Sequence, residues 1–517
     1  MSVTDTRGTP WLVTLAAVGG LLLLMAFAPD YLPSRGYPLD ESWIHAVYGR
    51  SVAQTGSLQY NPGIAAPGSS SSLWSLLLAA PHLLHGSPGT VVLATKLLGF
   101  ALHIAAALVL YFALGSATSS SLLRAVGAGL VACDPDLIAA AVSGMEIPLA
   151  ALVACSVLLA ARRGGFVTYA MVCATAPWAR PEVGVLCFAV PVGLFLGRDR
   201  RRLRTTLAAA VCGNTLSFGL LALRNIAVSG RPLPATFYAP VGEGSASLLT
   251  DELRGFGELL DHLVIADSSV LLALLGVVAV ATLVSNDVGD DVAAATGLAS
   301  ALLFFAVSFV LVSPRDPGAF SSQRYVLPAV PLLVGAVPQL ADRLIRSWLR
   351  PAHHAVARLA LLLLLVASVL VGSTTRYPRL TNDAHNIDDV QVASARVLAG
   401  APALDVIWVT AAGAIRYFGN AFTVDLTGVN TPEMLGPNAQ AYLDAHPPRY
   451  MEIVPGLTHV DQASAQMLEG QQFTPSTPST VTSFPAMSSQ WLVRCPPTLV
   501  SGQISSGLGT FHFACAP

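Results

Sequence analysis

Charge is what this sequence has least of. Lys and Arg number 28 and Asp and Glu 30, so only 11% of its 517 residues are charged, against about 25% in ordinary soluble domains. A water-soluble chain of this size could not cover its surface with so few ionic groups, which excludes an ordinary cytoplasmic enzyme. The net charge of −2 offers no basic face for a nucleic acid. Neither a Walker phosphate loop nor a Gly-x-Gly-x-x-Gly fingerprint occurs, which argues against direct nucleotide use. His82, His103, His353, His354 and His385 fall at no spacing that suggests a metal site. Cysteine says little. Cys133, Cys155, Cys173, Cys187 and Cys212 sit in or beside apolar runs, where a thiol packs as a small hydrophobe. Cys495 and Cys515 lie in a polar tail, where a disulfide would tie down the C-terminus.

What is abundant is apolar: 53% of residues and a mean hydropathy of +0.62, arranged in blocks long enough to span a bilayer. The run from Trp11 to Phe27 is preceded by one basic residue, Arg7, and has no small-residue cleavage site, so it reads as a retained first span and not as a signal peptide. Further spans are expected near 89–113, 121–141, 145–161, 166–178, 181–197, 205–223, 267–285, 292–312, 325–340 and 356–373, about eleven in all. With the N-terminus in the cytoplasm, Arg162-Arg163, Arg198, Arg200, Arg201, Arg202, Arg204, Arg343, Arg346, Arg350 and Arg358 all fall on the inner side, as the positive-inside rule requires. The acidic stretch 287–291 is a mild misfit there.

This topology places the loop 29–88, the turn after Val142, the loop 224–266 and everything beyond about 374 outside. In the first outer loop, Asp40 to Ala53 and Ser72 to Leu84 read as short amphipathic helices. Gly56 to Ser71, rich in Gly, Ser, Pro and Asn, reads as an ordered loop. From His385 onward the composition is that of a soluble domain: Val390–Leu398 helical, 405–410 and 421–426 as short strands, and Gln471–Ser489 an exposed Ser/Thr/Pro-rich loop. The expected architecture is therefore a mainly α polytopic transmembrane bundle, residues 1–373, with a small extracytoplasmic α/β domain, 374–517, in the cytoplasmic membrane of the cell.

Charges beside spans are costly, and each is a functional candidate. Asp40-Glu41 opens the first loop helix, followed by Trp43, His45 and Tyr48. An acid at a helix start serves as a cap, which explains one carboxylate better than two. Glu146 heads another span among apolar flanks, where capping and a site role are equally open. Arg180-Pro181-Glu182 interrupts an apolar run, either as an internal brace or as a cavity lining. Arg224-Asn225 and Arg324-Tyr325 mark further outer mouths. Guanidinium groups suit phosphate, so acids and arginines together describe a pocket for a lipid phosphate. A transporter would want charges at the midplane, and Lys96 is the best such candidate.

These blocks, in order, resemble the polytopic GT-C glycosyltransferases. Pro38-Leu39-Asp40-Glu41-Ser42-Trp43-Ile44-His45, Tyr60-Asn61-Pro62-Gly63 and Gly68-Ser69-Ser70-Ser71-Ser72-Leu73-Trp74 are similar to the family's first outer loop. Ser143-Gly144-Met145-Glu146, Arg180-Pro181-Glu182, Arg224-Asn225, Pro232 to Tyr238 and Arg324 to Pro328 follow in family order, and Asn386 to Asp389, Gly413 to Phe418 and Val424 to Gly428 match the tail. The branch most like it contains protein mannosyltransferases and mycobacterial arabinofuranosyltransferases. The resemblance implies a polyprenyl-phosphate-linked sugar donor, an extracytoplasmic glycan, lipid or protein acceptor, and inverting transfer. It implies Asp40 as base with Glu41 beside it, and arginines steadying the leaving phosphate, Arg324 first with Arg180 and Arg224 behind. His45, Glu146, Glu182, Asn225 and Tyr325 complete the implied substrate site. Some members use a divalent cation, Mg or Mn, near the first-loop acids, here Asp40 and Glu41. Three departures stand out: Asp-Glu where many relatives have paired Asp, Thr410-Ala411 where they often have His-Asp, and Pro240 where they tend to have Lys. The competing readings are a flippase or transporter of lipid-linked sugars and a catalytically silent envelope scaffold.

Overall fold

A computed structural model describes residues 9–84, 86–115, 120–196, 200–238, 292–312, 325–454, 458–461, 469–474, 490–495, 501–506 and 508–515. Among these, four helices have the length and apolar composition to cross a membrane unaided: Pro10–Phe27, Pro88–Ala113, Arg202–Ser229 and the apolar part of a helical run over 351–400. Shorter apolar helices pack between them, including Ser121–Cys133 and Phe166–Ala179. Their outward faces carry bare hydrocarbon, with Trp11 56% and Leu22 60% exposed on the first helix. Such a surface suits lipid and not water. The chain is a multi-pass membrane protein. The expected span 267–285 lies outside the described residues.

Local chemistry sets the helix ends. Ser87 caps the Pro88–Ala113 helix by accepting from the Thr90 amide, with Pro88 at the first helical position, where its missing N–H costs nothing. The expected single span 121–141 forms two helices, Ser121–Cys133 and Pro135–Ala141. Pro135 breaks the hydrogen-bond ladder, and Asp134 restarts it by accepting from the Asp136 and Leu137 amides, each at 3.0 Å.

Close backbone crossings hold the bundle together. A Cβ at Gly99 would stand 2.0 Å from the Ala141 carbonyl oxygen, so the Pro88–Ala113 helix can lie on the broken span only because Gly99 has no side chain. Gly99→Ala should lower stability by about 1–3 kcal/mol through overpacking, seen as a lower melting temperature in detergent. Leu97→Ala on the exposed side of the same helix is the control and should melt near the wild type.

The last membrane helix does not stop at 373. It runs unbroken over His354–Asn386 and passes through a turn of wider helix into Ala393–Val397. The tail it enters contains a five-stranded sheet in the order 422–425, 406–409, 450–453, 490–494, 469–473. The first three strands are parallel and the rest antiparallel. A three-stranded antiparallel sheet of 509–513, 502–506 and 459–460 lies beyond it. Trp408, Val424, Leu426, Met451 and Phe513 form the core between these elements. Cys495 and Cys515 are joined in a disulfide across this core.

The expected first-loop helix forms as Asp40–Thr55, here the loop helix. The expected helix over 72–84 is split into Ser72–Leu77 and Ala79–Leu83, and a short hairpin of 59–61 and 64–65 lies between.

Candidate functional site at the junction of loop, bundle and tail

The loop helix is wedged between the bundle and the tail, and its faces do different work. Successive residues turn by about 100°, so Ser42, His45 and Gly49 share one face and Asp40, Trp43, Val47 and Arg50 share another. The first face meets the bundle. Ser42 Oγ donates to the Ser143 carbonyl at 2.9 Å, and Trp74 Nε1 donates to that of Gly144, also at 2.9 Å. A Cβ at Gly49 would press on Leu78.

On this bundle face a chain of buried polar groups begins. His45 Nε2 stands 3.0 Å from Glu146 Oε2, and its Nδ1 is 3.3 Å from Ser75 Oγ. Ser75 Oγ is in turn 2.9 Å from Ser69 Oγ. The other Glu146 oxygen accepts from Arg180 Nη1, and Arg180 Nε donates to Glu182. The Arg180 guanidinium lies 4.9 Å from the centroid of Tyr325. Glu146 has no exposed surface. Four sequence candidates, His45, Glu146, Arg180 and Glu182, are therefore one connected assembly, with Tyr325 against it. Of the two open readings of Glu146, capping is not realised, since its side chain makes no bond to its own helix.

The opposite face meets the tail. Trp43 packs on Tyr37, Tyr417 and Phe418 at ring distances of 4.6, 4.9 and 4.8 Å. Arg50 donates to the Tyr417 carbonyl. Asp40 reaches the start of the Ala412–Phe418 helix, here the tail helix. Its two oxygens accept from the Gly413 amide at 2.7 Å and the Ala414 amide at 2.8 Å. A Cβ on Gly413 would stand 2.1 Å from the Asp40 main-chain oxygen, so that glycine permits the approach. Glu452 grips the preceding turn, accepting from the Thr410 and Ala411 amides at 2.8 Å each. Burial pushes the Asp40 carboxyl up to about 7 and that of Glu452 to about 8, against the amide bonds, which lower both.

More bonds fix this junction. Gly36 donates to Asp388, Tyr60 Oη donates to the Ala412 carbonyl, and Asn61 exchanges two bonds with Thr423. Sequence reasoning placed none of these contacts, because their partners lie more than 350 residues apart.

A third stripe of the loop helix carries Glu41, His45 and Tyr48, spaced i, i+4 and i+7. Tyr48 Oη donates to Asn430 and accepts from the Gly68 amide. Burial raises its hydroxyl, and the Arg224 cation works the other way. Arg224 donates to the Ala66 carbonyl and to Asn225 Oδ1. It pairs with no carboxylate among the described residues. Asn225 donates to the Pro232 carbonyl. The stripe thus runs between an acid–guanidinium chain and a guanidinium that no described carboxylate neutralises.

Lys96 Nζ donates to the Tyr31 and Arg35 carbonyls at 2.8 Å each and lies 3.8 Å from the Tyr31 ring centroid, so it braces the first outer loop. Arg324 lies outside the described residues.

The Asp40 and Glu41 side chains leave the helix about 100° apart, and both Asp40 oxygens accept from amides. Among the described residues, no group of three or more His, Cys, Asp or Glu side chains is placed to hold a metal ion.

The Domain of unknown function (DUF8728) family matches residues 385–495. No curated protein matches the chain by sequence. Among solved structures it is similar to ArnT from Cupriavidus metallidurans in the apo state, with TM-score 0.55 and 16% identity over 93% of this chain and 97% of that one. It is similar to the Archaeoglobus fulgidus oligosaccharyltransferase tethered with an acceptor peptide, with TM-score 0.54 and 11% identity over 86% and 68%. A third likeness is to AglB from the same archaeon, in complex with an inhibitory peptide and a dolichol-phosphate, with TM-score 0.52 and 10% identity over 86% and 69%. Together they show a shared fold: a multi-pass helical bundle followed by a small mixed-sheet tail.

Proposed function

We propose that the protein is a membrane glycosyltransferase that moves a sugar from a polyprenyl-phosphate donor to an acceptor on the extracytoplasmic side, a cell-envelope glycan, lipid or protein. The observation that carries this reading is the buried His45–Glu146–Arg180–Glu182 chain, set beside the acids of the loop helix in a GT-C-type fold. AglB, which has this type of fold, is held with dolichol-phosphate, and that supports a lipid phosphate as the donor's carrier. In this reading one of the adjacent acids, Asp40 or Glu41, takes the acceptor's hydroxyl proton. The acceptor oxygen bonds to the anomeric carbon, the bond from that carbon to phosphate breaks, and lipid phosphate leaves.

Arg224 is better placed than Arg180 to meet the leaving phosphate, since Arg180 is already countered by two carboxylates. Arg324, which the resemblance puts first, is proposed to share that role. The mannosyltransferase- and arabinofuranosyltransferase-like branch is the one its motifs favour. A transporter has less support, because the one lysine deep in a span is engaged by backbone carbonyls.

The test is transfer in reconstituted vesicles, with labelled polyprenyl-phosphate sugars as donors and envelope extract as acceptor. Wild type should transfer one of them, and Asp40→Asn/Glu41→Gln should lose transfer by about 10²-fold or more. Movement of the labelled lipid across the bilayer without transfer would favour the flippase instead. Neither activity would leave the scaffold.

A further inference from the structure

At the end of the bundle away from the loop helix, positive charge gathers with no carboxylate beside it. The Pro88–Ala113 helix starts next to the first outer loop, where Lys96 holds Tyr31 and Arg35. Its 26 residues carry it about 39 Å. The Ile147–Arg163 helix makes the same crossing from Glu146. Both end at the far face, where the Ser121–Cys133 helix begins. A helix C-terminus draws cations because its last carbonyls are unpaired. Arg162 meets that need by donating to the Ala113 and Gly115 carbonyls. Two further arginines do not. Arg124 is 8% exposed, and its buried Nε has no hydrogen-bond partner. A Cβ at Gly115 would stand 2.7 Å from Arg124 Nη1 and 2.7 Å from Nη2 of the exposed Arg163. The two guanidinium groups thus converge on one spot, and among the described residues neither forms a hydrogen bond or an ion pair.

From this convergence we propose that Arg124 and Arg163 form a binding site for a phosphate group on the membrane face opposite the loop helix. A guanidinium withdrawn from water without a partner is costly, and a second one close by adds repulsion. One anion relieves both. Because both nitrogens lie 2.7 Å from a common point, they are close enough for a single oxygen to reach the two at about 2.8 Å, the length of a charge-assisted hydrogen bond. Phosphate has further oxygens for the remaining N–H groups, which suits the guanidinium fork. The Tyr111 ring, its centroid 5.0 Å from the Arg124 guanidinium, holds that side chain in place. Phe112 and Leu122, near these arginines in the chain, are exposed hydrocarbon, so the site opens beside lipid. A basic pocket between spans at that depth fits an acidic phospholipid headgroup; free phosphate carries the same chemistry.

Full-length protein in nanodiscs tests the site without reference to sugar transfer. Thermal melts and native mass spectrometry would compare phosphatidylcholine discs, the same discs with inorganic phosphate, and discs containing phosphatidylglycerol. Wild type should melt higher with phosphatidylglycerol, as a ligand of the folded state requires, and should retain that lipid. Arg163→Gln, at an exposed position, should weaken retention by about 10-fold or more, the loss expected for a hydrogen bond to a charged group. Arg124→Met should lose the gain as well. Arg204→Gln removes the same charge from an exposed position on the helix whose Arg202 reaches the Ala161 carbonyl at this face, and it should behave as wild type. An equal gain from inorganic phosphate, lost in Arg163→Gln, supports the site and makes a soluble phosphate its ligand. If Arg163→Gln and Arg204→Gln retain phosphatidylglycerol as wild type does, or lose it equally, the inference is wrong. Should Arg124→Met not fold, the contrast between those two variants decides.

Discussion

Glu146→Ala should be the most damaging single substitution at the site. It removes the one group that joins His45 to Arg180 and leaves a buried guanidinium facing an empty volume. Breaking a buried pair from one side costs about 3–5 kcal/mol, so the variant should give little folded protein in detergent. Glu146→Gln keeps the shape and the bond to His45 while losing the charge. It should fold, melt below the wild type and show strongly reduced transfer. Thermal melts of the two variants check both points. Wild-type stability in Glu146→Ala would show that the pair is not a support of the fold.

A pH dependence is expected where the loop helix meets the tail. Asp40 and Glu452 have carboxyls raised to about 7 and 8 from 3.8 and 4.5. Burial is the first cause in both cases. Glu41 and Asp425 add repulsion at Asp40, as Asp40 and Asp425 do at Glu452. Each acid binds its proton more tightly in the folded chain than in the unfolded one. Stability should therefore fall as pH rises from about 4 to 8, by up to about 1.4 kcal/mol per pH unit for each group. Wild-type protein should melt at a higher temperature at pH 5 than at pH 8, and Asp40→Asn/Glu452→Gln should flatten that slope. A wild-type midpoint that climbs with pH, or a double variant with the parent's slope, would contradict this account.

Both acids show where a sequence can be read and where it cannot. Asp40 at a helix start reads as a cap, which is correct in kind. The helix it caps is not its own: the loop helix has no side-chain cap at Leu39, and the amides Asp40 holds are 373 and 374 residues away. Membrane spans are legible because twenty apolar residues need no partner to declare themselves. The broken span at Asp134-Pro135 was blurred because its local breaker sits inside an otherwise continuous apolar run. His45, Glu146, Arg180 and Glu182 were each visible as costly charges beside spans. Their joining depends on how the loop helix rotates against the bundle, which only packing decides. Ser69 stood out only as one serine of a motif block, and Ser75 and Glu452 gave no signal. Serine is abundant in that loop, and a lone acid in a soluble tail is ordinary. Lys96 can be read two ways from sequence for the same reason, since a buried ammonium bound to two carbonyls has the same signature as one lining a path.

The unbroken helix from His354 to Asn386 works as a ruler between membrane and tail. Each residue added or removed between its membrane exit and Asp388 would turn the whole tail by about 100° and shift it by about 1.5 Å. One such step would carry the tail helix away from Asp40 and Tyr60, and Asp388 away from Gly36, together. Exchange of tails between proteins of this kind would therefore succeed in whole helical repeats and fail between them, so the length of this segment is as constrained as any side chain it carries.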